Sequence, residues 1–154
     1  MATPFPFVAG NTLTAAELNS IGEAWTSYTP TITQGVTVTN TIQYAKYTIV
    51  NKIVFVSVAL KCTSAGTAGS VINISLPVTA ATGGGDFGTP IGAGGFFDLS
   101  ALAQYSGTVA QNGTTQMWMF ADIGSGGGSL FGQFPGVTCA NGDCVFFQAV
   151  YQAA

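Results

Sequence analysis

Arginine and histidine do not occur in this chain of 154 residues, and charge is carried by only three lysines and six acids. Charged residues make up 6% of the sequence, where a soluble domain usually has about a quarter. Without a basic footprint for a phosphate backbone, nucleic acid is not an expected partner. Without histidine the commonest general base is missing, and neither Ser-His-Asp nor Cys-His catalysis can be assembled. The longest apolar run, residues 53–60, is interrupted by Ser57 and falls far short of the roughly 20 residues that cross a bilayer. No membrane insertion is expected. The N-terminus has no basic stretch, and Pro4-Phe5-Pro6-Phe7-Val8 is too short for a signal core, so secretion by the usual route is not expected either.

Hydrophobic residues reach 47% and glycine 21 residues, with abundant Thr and Ser, the mixture of many short strands joined by flexible turns. A chain of this length is most simply one domain, able to bury roughly 68–70% of its unfolded surface without a cofactor to hold it together. The net charge of −3 bears on solubility rather than on a partner. A charge-poor, apolar-rich chain without a membrane segment has surface to hide, and oligomerisation is the simplest means.

The clearest local pattern is a hairpin, residues 44–50 and 53–62 around Asn51-Lys52. In its second arm Val54, Val56, Val58, Leu60 and Cys62 form an unbroken apolar face at period two. The other face, with Ile53, Phe55, Ser57, Ala59 and Lys61, is mixed. A strand apolar on both sides expects cover on both, from a second sheet or a neighbouring subunit.

Residues 1–13 read as an extended arm, since Pro4 and Pro6 disfavour helix before them. Thr14-Ala15-Ala16-Glu17 is a capping box, and Leu18, Ile21 and Trp25 follow at helical spacing, so a short helix that must dock on something is expected up to about residue 25. Strands are expected over 28–33, 36–42, 71–76, 105–110, 116–123 and 145–152, with 130–134 a short strand or turn and 91–99 a stretch carrying the paired aromatics Phe96-Phe97. Asn112-Gly113 marks a second hairpin, and 63–70, 82–89 and 124–128 are loops. The count of eight to ten strands predicts an all-β fold, a β-sandwich or jelly roll over 28–154, behind an N-terminal segment 1–27. No heptad, collagen triplet or longer repeat indicates a shaft.

Chemistry is sparse. Glu17 is a cap, Asp143 lies in a turn, and Glu23, Asp86, Asp98 and Asp122 are scattered; a paired-carboxylate or metal site from Asp86, Asp98 and Asp122 is not required by spacing. No catalytic, metal or cofactor-binding residue is assigned. Gly92-Ala93-Gly94-Gly95 lacks the following Lys-Ser or Lys-Thr of a phosphate loop and reads as a flexible turn. Cys139 and Cys144 flank Ala140-Asn141-Gly142-Asp143, a turn that sets two thiols across a short hairpin. A disulfide and free thiols both remain open, with assembly in a reducing pool favouring the latter. Cys62 is a core residue, and zinc lacks a fourth ligand. Trp118 and Phe120 share a strand face and are the candidate contacts for a glycan or a subunit, with packing the commoner use of such rings. Asn73-Ile74-Ser75 and Asn112-Gly113-Thr114 match the glycosylation pattern without the secretory context that would use it.

Two segments carry a family resemblance. Phe7-Val8-Ala9-Gly10-Asn11-Thr12-Leu13-Thr14-Ala15-Ala16-Glu17-Leu18-Asn19, followed by Trp25-Thr26-Ser27-Tyr28-Thr29-Pro30, resembles the N-terminal region of tailed-bacteriophage virion proteins, including tail, fibre and head-appendage components. The later rhythm of Tyr47, Phe55 and Leu76-Pro77 is similar to the β-rich modules that often follow. The resemblance implies a structural, non-enzymatic role on a virion, commonly as a homotrimer. Its attachment or subunit-clasping residues would be Phe5, Phe7, Val8, Leu13, Leu18, Ile21 and Trp25. The partners expected are the major capsid protein or other virion proteins for a capsid decoration or cement protein, or host glycan for a tail-fibre tip.

Overall fold

The computed structural model describes residues 12, 14, 24–82, 88–121, 129–133 and 136–154. The expected arm and capped helix lie outside the described residues, apart from Thr12, Thr14, Ala24 and Trp25. Among the described residues the chain is all-β. Its strands are β1 (Thr26–Ser27), β2 (Ile32–Gln34), β3 (Val36–Val38), β4 (Asn40–Val50), β5 (Ile53–Cys62), β6 (Asn73–Ser75), β7 (Pro90–Asp98), β8 (Ala103–Asn112), β9 (Gln116–Ala121), β10 (Ser129–Leu130) and β11 (Cys144–Gln152).

All pairings are antiparallel and belong to one sheet, in the order β1-β4-β5-β11-β7-β8-β9-β6-β2-β3, with β10 on β9. The all-β expectation therefore holds, while the hydrogen bonds make no division into two sheets. One sheet must supply both sides of its own core, and it does so by curling into a half-barrel. Val54, Val56, Val58, Leu60 and Cys62 of β5 all point inward and are buried, as their period-two spacing predicts. Val145, Phe147, Ala149 and Tyr151 of β11 do the same beside them. Phe131 completes the centre, its ring 5.1 Å from Phe96 and 5.3 Å from Tyr105.

The curl is closed at Thr39. The strand expected over 36–42 is in fact two, because β3 ends at Val38 and β4 begins at Asn40, and these belong to opposite ends of the ladder path. The Thr39 carbonyl accepts from Thr63 N (2.7 Å), its N–H donates to Ser64 Oγ (2.9 Å), and its hydroxyl bonds that of Thr63 (2.8 Å). Beyond it, β4 continues past Gln43 through a bulge between Ile42 and Tyr44 rather than starting there. A bulge raises local twist, which a strand needs to follow a tight curl.

Beside this corner Gln34 is fully buried with its amide satisfied: Nε2 donates to Val137 O (2.7 Å) and Ser70 O (3.1 Å), and Oε1 accepts from Cys139 N (2.8 Å). One side chain thus joins β2 to two loops. The expected turns are present: Asn51 and Lys52 both have positive φ (45° and 69°), the hairpin requirement, and Gly113 has φ 62° after β8. Gly92-Ala93-Gly94-Gly95, read from sequence as a turn, lies instead within β7, laddered to β11 and β8. Its glycines serve close approach. Gly94 faces Gly107 across the ladder, and a Cβ on Gly107 would run into the Phe120 carbonyl oxygen.

Gly107→Val should therefore destabilise the fold by about 2–4 kcal/mol, through overpacking against backbone that cannot swing aside. Gly113→Ala, where a Cβ meets nothing but φ is positive, should cost about 1 kcal/mol. Urea midpoints of the two variants check the ranking; equal midpoints would refute the close-approach account.

Candidate functional site

The carboxylates described in the structure are committed to backbone. Asp143 is buried, with Oδ1 accepting from Leu99 N (3.0 Å) and Oδ2 from Ala140 N (2.7 Å), so it ties the β7–β8 loop to the turn before β11. Asp98 accepts from Ser100 Oγ (2.7 Å) and Ala101 N (3.0 Å), bonds that hold its carboxyl below the usual range. Both organise turns. Asp86 and Asp122 lie outside the described residues, and no cluster of potential metal ligands occurs among the described ones.

The cysteines are three free thiols. Cys139 is buried and shares a hydrogen bond with Cys62, whose backbone is laddered to the turn by Cys62 N to Asp143 O (2.8 Å) and Gly142 N to Cys62 O (2.9 Å). That bond, and then burial, push the Cys139 thiol well up from its ordinary value. Cys144 is half-buried, opposite Lys61 and Phe97, and its Sγ lies 3.7 Å from Gly142 O. Free thiols at Cys139 and Cys144, the alternative the sequence favours over a disulfide, are what the structure has, and Cys139 turns into the core.

Trp118 and Phe120 share the outer side of β9, edge to face with centroids 6.1 Å apart. Trp118 is half-buried and its Nε1 is enclosed without a hydrogen-bond partner among the described residues. At the β1 side, Tyr28 packs edge-on against Tyr47 at 5.9 Å, and the Tyr28 hydroxyl is likewise buried without a partner among the described residues. Tyr151 donates to Val78 O (2.9 Å). Burial pushes Tyr151 up to about 12, and burial, then the neighbouring Tyr151, push Tyr28 higher.

A groove of about 1000 Å³ lies on the outer face of β4, β5, β11, β7 and β8. Its wall carries Trp25 (47% exposed), Tyr44 (42%), Phe55 (38%) and Val150 (47%). Its floor is Ala59, Ala93, Gly94, Ser106 and Gly107, where few side chains rise above the backbone. Phe146 sits over Gly95, filling the space a side chain there would take. Trp25 is the one expected attachment residue among the described ones; Phe5, Phe7, Val8, Leu13, Leu18 and Ile21 lie outside them. All three lysines of the chain are on the β4–β5 hairpin. Lys46 and Lys61 share the groove's face, with the Lys46 ammonium 5.7 Å from the Tyr44 ring centroid. The mixed side of β5 announced this face in the sequence; the groove did not show, because its floor is assembled from strands distant along the chain. Comparison with protein-family models, with curated proteins and with solved structures found no match to this chain.

Maleimide should label Cys144 in the native protein, and Cys62 and Cys139 only after denaturation; peptide mapping by mass spectrometry checks this, and rapid native labelling of Cys139 would refute the buried pairing. Alkaline stability follows from the tyrosines. Both phenols hold their protons more tightly folded than unfolded, so the folded state binds more protons once the unfolded chain titrates near 10, and stability falls as pH rises from there through about 12. Tyr28→Phe should flatten that fall, seen in urea midpoints between about pH 9 and 11; an unchanged slope would count against it.

Proposed function

We propose that this chain is a non-enzymatic structural subunit of a tailed-bacteriophage particle, a capsid decoration, cement or head-appendage protein acting as a homotrimer in contact with the major capsid protein. It would be assembled in the host cytoplasm and reside on the virion. The observation that carries the reading is the outer sheet face of Tyr44, Phe55 and Val150, apolar and open, on a chain almost without charge. Burying such a face yields roughly 25 cal/mol per Å², so an interface of standard size gains most of its stability from apolar contact. The resemblance of residues 7–19 and 25–30 to phage virion proteins supplies the particle. The described Asp side chains accept from backbone amides, and Asp98 also from the Ser100 hydroxyl, which suits a body built to pack rather than to catalyse. In this reading the body is sandwich-like or jelly-roll-like, the two arms of the curled sheet standing as its layers.

A second reading, a tail-fibre tip that recognises host glycan, draws on Trp118, whose half-buried ring stands beside Phe120 on the outer side of β9. Aromatic faces suit sugar rings. The two differ in place and in ligand. Cryo-electron microscopy of virions should show the protein over the head shell; density at the tail tip would defeat the decoration reading. Trp118→Ala should leave particle attachment unchanged, whereas loss of host-polysaccharide binding in that variant, still folded by circular dichroism, would establish the tip reading instead.

A further inference from the structure

Cys62 and Cys139 meet in the core, and the fold holds both still. Each is fully buried. Cys62 closes β5, with its N–H donating to Asp143 O (2.8 Å) and its carbonyl accepting from Gly142 N (2.9 Å). Cys139 sits just before β11, with its N–H donating to Gln34 Oε1 (2.8 Å) and its carbonyl accepting from Gly66 N (3.0 Å). All four backbone groups are thus hydrogen-bonded, and the side chains they carry turn toward each other closely enough for the thiols to share a hydrogen bond. A disulfide needs this arrangement, since a bridge closes without backbone movement only where two Cβ atoms already point at one another across a short gap. Cys144 is not a competitor. It is half-buried, and its ladder partner is Lys61, one residue off Cys62 and therefore on the opposite face of β5. We infer that Cys62 and Cys139 are a dithiol that closes to a disulfide when the protein meets a peroxide, pinning β5 to the segment that leads into β11.

Hydrogen peroxide is small and uncharged, and reaches buried sulfur when the structure opens locally. The Cys139 S–H donates to Cys62 Sγ, and this bond holds the Cys62 thiol below its ordinary value against burial and the nearby Asp143 carboxylate. Cys62 is therefore the sulfur that attacks. Its Sγ bonds one peroxide oxygen, the O–O bond breaks, and the departing hydroxide leaves as water with the proton that Cys62 released, so that Cys62 becomes a sulfenic acid. Cys139 Sγ then attacks the Cys62 sulfur. The S–S bond forms, the S–O bond breaks, and a second water leaves with the Cys139 proton. Two thiols lose two electrons, and one peroxide is reduced to two waters. The bond closes a loop of about 78 residues, long enough to restrict the unfolded chain strongly. It also has an order built in, because the thiols meet only once the turn over 140–143 has laddered Asp143 to Cys62. In a reducing cytoplasm the pair stays open. Closure on leaving that compartment rests on the assembly reading above; the bond itself does not.

The test treats the reduced full chain, unmodified and as Cys144→Ser, with hydrogen peroxide, then denatures, alkylates and maps it by mass spectrometry without reduction. The expected product in both is a peptide pair joined through Cys62 and Cys139. Closure should raise the folded-to-unfolded ratio at least about 100-fold, read as a higher urea midpoint that dithiothreitol reverses. A link through Cys144 in place of this one, a sulfinic acid on Cys62 with no link, or a midpoint that does not rise would overturn the inference. Cys139→Ala should leave on Cys62 a sulfenic acid that dimedone traps, and Cys62→Ala should leave none on Cys139; the reverse pattern overturns the order of attack. Where either variant fails to fold, the peptide map of the unmodified chain decides the bond. Virions that carry the protein with both thiols still free after peroxide treatment defeat this inference and leave the assembly reading standing. Protein that closes the bond in solution but is absent from virions defeats that reading and leaves the bond.

Discussion

The whole molecule follows from one constraint: β5 presents five successive inward positions that are all apolar, and a single sheet has no second layer with which to cover them. Curling is the available solution. The sheet bends until β2, β3 and β6 stand across from β5 and β11, and Ile32, Val38 and Ile74 meet Val54, Val58 and Phe147 in one core. Adjacent small residues at Gly94 and Gly107 let the bend be tight, and the Gln43 bulge and the Thr39 corner take up the remaining twist. The other side of the same strands is thereby left facing outward with its own apolar residues, so the groove is a product of how the core is made.

A curled sheet creates polar problems at its rims, where ladders end and carbonyls and amides lose their partners. Buried polar side chains resolve them, Gln34 and Asp143 foremost. Gln34 uses both ends of its amide to satisfy three backbone groups from two loops, and Asp143 uses both carboxylate oxygens to gather Leu99 and Ala140. Leaving such groups unpaired would cost about 1–3 kcal/mol each. These are the polar side chains that the fold can least exchange for apolar ones of similar size.

Local pattern was legible and global placement was not. Asn51-Lys52, Asn112-Gly113 and the alternation of β5 and β11 read correctly because turn chemistry and period-two burial are set by near neighbours. Thr39 was invisible as a corner, since nothing in Thr-Val-Thr-Asn distinguishes a strand from the junction of two. The glycines of β7 read as a turn because the close approach of Phe146 and Phe147 that requires them comes from residues about 50 positions away. Free thiols at Cys139 and Cys144 were legible, but that the thiol meeting Cys139 belongs to β5 was not. The lysines were counted but not seen as one set, although all three fall within the first hairpin, which was itself readable.

β11 sits between β5 and β7, so the strand made last among those described is the centre of the sheet. During synthesis β5 waits for about 80 further residues before its inner neighbour exists, some seconds at a translation rate of about 5–20 residues per second. Through that interval the nascent chain exposes two bare, strongly β-forming edges, the situation in which ribosome-bound chains stick to one another. A chain ending before β11 would leave the β4–β5 and β7–β8–β9 ladders without the strand that joins them.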